Sequence, residues 1–269
     1  MELLLIGGGR MVSKILFDEN GYIIFPRRHK KHKLREKKYL STKKKGNLAF
    51  KCNYNDRGYQ DVCSDKIYLY NKSIGKVWCC DPKNRCRDFS KDKLNLEDIT
   101  SLNPDQFPCY ESCIFITYTM GAGVRHRGDK YGEPFIIRNA EVGKLAFLTT
   151  REPYADESQR YIFGFLHIRK IDFCDIGKEP ISGFRSQYIF GYPETSLKID
   201  NRIKLKFWDY YKNERNPELF HWGTGLFRYL SDETTLKILY ALRDEYKRIR
   251  GENRDLEIIN HHIERYESN

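Results

Sequence analysis

The residues best equipped for chemistry are cysteines. Cys52, Cys63, Cys79, Cys80 and Cys86 are five of the chain's eight, and they crowd between positions 52 and 86. The others are Cys109, Cys113 and Cys174. Thiolates are soft ligands, and four of them placed by turns hold zinc tetrahedrally. Cys80 and Cys86 flank Asp81-Pro82-Lys83-Asn84, while Gly58 and Ser64-Asp65 supply turns around Cys63. A polar, loop-rich stretch of this size has little core of its own, and a metal staple would supply the missing folding free energy. The expected ligands of a structural zinc are Cys52, Cys63, Cys79 or Cys80, and Cys86, with Cys109 as an alternative. Irregular spacing, without any Cys-x-x-Cys pair, leaves room for the plainer reading that these are small buried hydrophobes. A catalytic zinc is not expected, because no histidine lies in the cluster.

A second candidate is the loop Gly121-Ala-Gly-Val-Arg-His-Arg-Gly-Asp-Lys130, followed by Tyr131-Gly-Glu-Pro134. Glycines let backbone approach a ligand closely. Arg125, His126, Arg127 and Lys130 would offer donors to phosphates or guanine edges. The competing reading is an ordinary exposed hairpin loop. Downstream, Lys144-Leu-Ala-Phe-Leu-Thr-Thr-Arg151 reads as a buried strand that delivers polar groups, Arg151 among them, to a pocket rim. Phe207-Trp-Asp-Tyr-Tyr211 and His221 to Arg228 concentrate aromatic residues. Most of these belong in a core, but Trp208 or Trp222 is expected to face a ligand, with Asp209 accepting a base's amino or imino proton. Each aromatic–base stack is worth roughly 1–3 kcal/mol.

Enzyme readings stand beside this one. Asp129, Glu133, Glu141 and Lys144 could serve a metal-dependent nuclease, although Glu141-Val-Gly-Lys144 is one residue longer than a Glu-x-Lys spacing and fits a surface turn better. Asp209 or Tyr210 could serve a glycosylase. No Gly-x-Ser-x-Gly elbow and no P-loop pattern occurs. The glycines after Leu3 to Ile6 lack the third glycine and the helix of a dinucleotide-binding turn. His261-His262 reads as part of a solvated helix face.

The net charge of the chain is +11, and it is concentrated. From Arg27 to Lys45 there are eleven Lys or Arg against Glu36 alone, which leaves 37 basic and 36 acidic residues elsewhere. Such an arm attracts polyanions through counterion release, or is simply a solvated, self-repelling loop. No apolar run approaches the roughly 18 residues of a membrane span. Leu3 to Ile6 is also shorter than a signal-peptide core of about 7–15 residues. A soluble, cytoplasmic protein without a disulfide framework is the resulting expectation.

These side chains must be placed by the elements around them. Asn20-Gly21 between apolar runs signals a hairpin in residues 1–26. Residues 91–108 read as a linker or short helix. From 109 to 230, short apolar runs alternate with turn residues, the pattern of a barrel or strongly curved sheet. Ile114 to Tyr118, Leu145 to Thr149, Tyr161 to Ile168, Tyr188 to Phe190 and Ile203 to Phe207 are the clearest strands. Ser231 then caps a helix that stops near Gly251, and Leu256, Ile259 and Ile263 mark a second. The expected fold is α+β and β-dominated, in three parts: 1–47, hairpin and basic arm; 48–107, Cys-rich; 108–269, barrel with helical tail.

The run from Pro108-Cys-Tyr-Glu-Ser112 through Phe227 resembles domains of the PUA-like superfamily, which includes the EVE, YTH and SRA groups. The resemblance rests on the basic loop Gly121 to Lys130, the strands Leu145 to Thr149 and Tyr161 to Ile168, and the late aromatic segment with Trp208 and Trp222. It implies a curved β-barrel with flanking helices that reads a modified base, flipped into an aromatic-lined pocket. Extrusion costs a few kcal/mol of unstacking, which stacking and backbone contacts must offset. It also implies a restriction or anti-phage setting. The expectation is a protein that binds nucleic acid, DNA more than RNA; the alternative is a nuclease or glycosylase.

Overall fold

The computed structural model describes residues 16–17, 23–24, 46–80, 109, 111–123, 125, 128–130, 133–174, 186–213, 216–222, 225–250 and 253–268. The basic arm, the glycines after Leu3 to Ile6, the 91–108 linker, Cys86, His126 and Arg127 lie outside them. The chain divides into two compact units, Met1–Thr42 and Lys43–Asn269. In the first, β1 (Leu16–Phe17) pairs antiparallel with β2 (Ile23–Ile24), on either side of the expected hairpin turn.

The larger unit is mixed α+β around an eight-stranded sheet. Its strands are β3 (Asn47–Lys51), β4 (Thr119–Gly121), β5 (Leu145–Thr150), β6 (Tyr161–Cys174), β7 (Ser186–Gly191), β8 (Leu197–Lys198), β9 (Leu205–Lys206) and β10 (Phe227–Leu230). They run in the order β10-β3-β5-β6-β7-β4, with β8 and β9 also paired to β6. Only the β3–β5 pair is parallel, with Leu48 opposite Ala146.

Because β3 and β5 sit mid-sheet, both of their faces are covered. Successive side chains point to opposite faces of a strand. Leu48, Phe50, Ala146 and Leu148 enter one core with Ile114, Phe115 and Tyr59. Ala49, Leu145 and Phe147 enter the other with Ile238, Leu242, Ile259 and Ile263. A strand buried on both faces shows a continuous apolar run, which is why Leu145 to Leu148 is so legible. The second core is closed by two helices, Asp232–Arg250 and Arg254–Glu267. Ser231 Oγ accepts from Thr234 N at 3.1 Å and Asn253 Oδ1 from Leu256 N at 3.1 Å, capping both. Each cap is worth about 1 kcal/mol.

The sheet is strongly bent. The first half of β6 pairs with β5 and the second with β7, with a register shift between Ile168 and Lys170. A Cβ on Gly164 would lie 2.3 Å from Phe115 Cζ and 2.6 Å from Leu197 O, so this position must be glycine for both neighbours to close on the strand. The two edges approach just after β4 and just before β10: a Cβ on Gly123 would fall 2.5 Å from Leu226 Cδ1. No ladder joins β4 to β10 among the described residues, so the sheet is curved and open.

Three expectations need correction. Residue 108 does not divide the body, because β3 of the Cys-rich segment is a central strand of the main sheet. Ile114 to Tyr118 is not a strand: Ile114–Thr117 forms a helical turn that ends on Tyr118 at φ 49°. His262 is fully buried rather than solvated, edge-on to Phe165 at 5.3 Å. The helix Asp65–Ser73, capped by Ser64, escaped the sequence reading because it buries only Ile67 and Asn71, too thin a stripe to show a period. No described helix is long and apolar enough to cross a membrane.

Candidate site at the strand ends

Both tryptophans expected at a pocket rim are core residues. Trp208 and Trp222 are 2% and 1% exposed, wedged against Phe207 and the helix-side core. Burying each large ring yields more than leaving it for a ligand, roughly 1.5–3 kcal/mol for a large apolar side chain. Trp208 Nε1 donates to Glu157 O at 2.7 Å, and nothing in that arrangement opens to solvent. Asp209 is exposed at the end of the turn Phe207–Asp209. Burial, then the nearby charges of Asp209 and Glu245, raise the Tyr210 phenol above its ordinary pKa.

What the Trp222 ring carries is positive charge. The guanidinium carbons of Arg160 and Arg228 stand 5.1 and 5.5 Å from its centroid. These arginines start β6 and β10, beside the carboxyl ends of β3 and β5. Arg160 is buried, donates to Thr149 O at 3.2 Å and grips Glu157 through two nitrogens. Arg151 Nε reaches the same carboxylate at 3.5 Å. Lys51, the last residue of β3, lies across from Thr149. Burial, together with Arg160, Lys76 and Arg151, lowers its ammonium pKa against the opposing pull of Glu157. Arg151 is thus placed as expected at the end of β5, but its companions Lys51, Arg160 and Arg228 were not anticipated.

The next residue along each of two turns lines a cleft. Glu152 follows Arg151, Tyr161 follows Arg160, and with Tyr54, Asp56, Lys198 and Asp200 they border a hollow of about 140 Å³. Tyr59 stacks on Phe163 at 3.9 Å beneath it. Burial and then the Glu152 carboxylate raise the Tyr54 and Tyr161 phenols, so both remain neutral donors. The lysines of the cleft are engaged: Lys204 with Glu152, Lys198 with Gln60 Oε1 at 2.8 Å. The result is a hollow bordered by aromatic side chains and carboxylates, with Lys204 Nζ over the Tyr161 ring at 5.1 Å.

Two backbone hydrogen bonds tie described residues on either side of the basic loop. Phe135 N donates to Gly123 O at 3.0 Å and Arg125 N to Glu133 O at 2.8 Å. The exposed Arg125 side chain covers the Phe135 ring at 5.0 Å, and Lys130 is exposed on the turn Gly128–Lys130. The imagined nuclease constellation does not assemble, because Lys144 Nζ is held by both carboxylate oxygens of Asp232 at 2.9 Å.

The cysteines also redistribute. Cys63, Cys79 and Cys109 line a small cavity of about 30 Å³ with Asn53, Asn71 and Glu111. Cys52 is core, and Cys80 is exposed with Sγ donating to Lys72 O at 3.4 Å, so neither joins them. Cys86 lies outside the described residues. Burial, then Cys109, raises the Cys63 thiol and pushes Cys79 up to about 12. Burial likewise raises the Glu111 carboxyl, which accepts from Asn53 N at 2.8 Å. Three soft donors of the type zinc takes thus border one cavity. Among the described residues, however, no three His, Cys, Asp or Glu side chains converge enough to hold an ion.

No protein family, no curated protein and no solved structure matches the chain.

Proposed function

We propose that this protein binds nucleic acid, DNA in preference to RNA, and that a single modified or flipped base enters the cleft between Tyr54 and Tyr161. The observation that carries the reading is that cleft: about 140 Å³, ring-walled and lined with acceptors. Cavities of this size admit one benzene-sized ring. Tyrosine faces would stack on the base, and Glu152 would accept from an exocyclic amino group. The PUA-like resemblance, and with it a setting in restriction or phage defence, belongs to the same proposal. Arg125, Arg151 and Lys130, with the arm from Arg27 to Lys45, would track the phosphate backbone.

A structural zinc belongs to the same proposal. Cys63, Cys79 and Cys109 border one cavity and are its candidate ligands, and zinc would have to draw their sulfurs together. Metal analysis of purified protein checks this: about one equivalent is expected, and none contradicts it.

Titration of labelled duplexes with and without 5-methylcytosine, 5-hydroxymethylcytosine or N6-methyladenine tests the reading. At least one mark should bind about tenfold more tightly, a difference near 1.4 kcal/mol, and Tyr161→Ala should abolish the preference. Equal affinity for every duplex would overturn it.

A further inference from the structure

We propose that Lys51 and Arg228 form an oxyanion site that takes one phosphate group at the carboxyl end of β3. Strand alternation puts Lys51 on the same face as Ala49, and Ala49 lies directly across from Arg228 in the β3–β10 ladder. On β10, Leu230 enters the helix-side core while Phe227 and Tyr229 pack on the opposite one, so Arg228 shares the Lys51 face. Lys51 N donates to Leu226 O at 2.8 Å, which locks the two strand ends together. The floor of the site is Trp222, with Arg160 fixed over its ring.

Charge is unbalanced here. Glu157 is already shared by Arg160 and Arg151. Among the described residues, neither Lys51 nor Arg228 has a carboxylate within 4.0 Å; Arg228 donates only to the carbonyl of its neighbour Phe227. Both are half-buried, and burial is the leading cause lowering the pKa of each. Partly desolvated cations with no carboxylate in contact are costly, and a phosphate would answer both. A planar guanidinium beside a mobile ammonium suits its oxygens.

The oxyanion chemistry does not depend on the base-reading proposal, but the source of the phosphate does: a nucleic-acid backbone or a free phosphate. The full-length protein is titrated with a labelled single-stranded DNA across a range of salt, and separately with inorganic phosphate at constant ionic strength. Lys51→Met and Arg228→Gln should each weaken DNA binding about tenfold and reduce the slope of log K against log salt by about one. Lys51→Arg should restore it. Arg202→Gln, which removes an exposed cation already paired with Asp200, should change neither. If DNA fails to bind but inorganic phosphate binds and is lost in Lys51→Met, the oxyanion site stands and the nucleic-acid reading falls. If both variants keep their circular dichroism and bind DNA and phosphate as wild type, the site is refuted. Should a variant not fold, wild-type protein decides: a phosphate-specific quench of tryptophan emission supports the site, and no binding of either probe overturns it.

Discussion

The two ends of the β3–β5 pair are built on opposite principles. At the amino end, most polar groups are matched, His262 Nδ1 being a buried exception. Asn47 Oδ1 accepts from Leu145 N at 2.8 Å and from Tyr266 OH, while its amide donates to Asp232 at 2.9 Å. Asp232 also holds Lys144, whose ammonium lies over the Tyr266 ring at 5.0 Å. Arg265 bonds Gly143 O and His167 Nε2, and His167 Nδ1 meets Thr195 Oγ1 at 2.7 Å. A guanidinium can only donate, so His167 is the neutral tautomer with its proton on Nδ1. At the carboxyl end, Arg151 and Arg160 share Glu157, and among the described residues neither Lys51 nor Arg228 forms an ion pair within 4.0 Å. Satisfied groups fasten helices to the sheet; unsatisfied ones wait for something to arrive.

Substitutions should therefore separate stability from binding. Asn47→Leu strands the Leu145 amide, the Tyr266 hydroxyl and one Asp232 contact. It should cost about 3 kcal/mol and lower Tm by about 6–12 °C in calorimetry, with DNA affinity unchanged while folded. A loss of binding equal to the loss of stability would break the distinction.

Acid should act at the same end. Burial first, then Arg265, lowers the His167 pKa to about 4; burial also lowers His262 to about 3. Folding thus favours the neutral rings, whereas the unfolded chain takes up protons below its ordinary pKa near 6.5. Stability should be level above about pH 6.5 and fall steadily toward pH 4. His262→Gln, which keeps a donor toward Thr195 O, should flatten this slope in thermal unfolding measured from pH 7 to 5. An unchanged slope would place the acid sensitivity elsewhere.

The smallest stability effect belongs to the carboxyl end. Lys51→Met removes a desolvated cation among like charges, so Tm should stay level or rise by about 2 °C even as DNA binding drops. A marked fall in Tm would make Lys51 part of the scaffold.

Much of the fold was legible in the sequence because local chemistry dictated it. Asn20-Gly21 sets a hairpin, Ser231 a helix start, and Leu145 to Leu148 a strand covered on both faces. The site was not, for physical reasons. Residues 51, 151, 160 and 228 meet only through the β10-β3-β5-β6 pairing, and no local spacing encodes that register. The aromatic segment from Trp208 to Trp222 drew attention by composition, yet dense rings mark a core at least as strongly as a binding surface. Tyr54 and Tyr161 lie far apart in the chain, each in an unremarkable context, and only the fold gives them a common wall. Among the cysteines, Cys63, Cys79 and Cys109 line one cavity, whereas Cys52 is core and Cys80 is exposed, a grouping that chain spacing alone does not encode.

Fluorescence of 2-aminopurine placed beside the preferred base in a duplex tests base capture most directly. Binding by wild-type protein should raise its emission severalfold as the neighbouring base leaves the stack, and Tyr161→Ala should bind without that rise. Saturated binding of wild-type protein with flat emission would contradict the account.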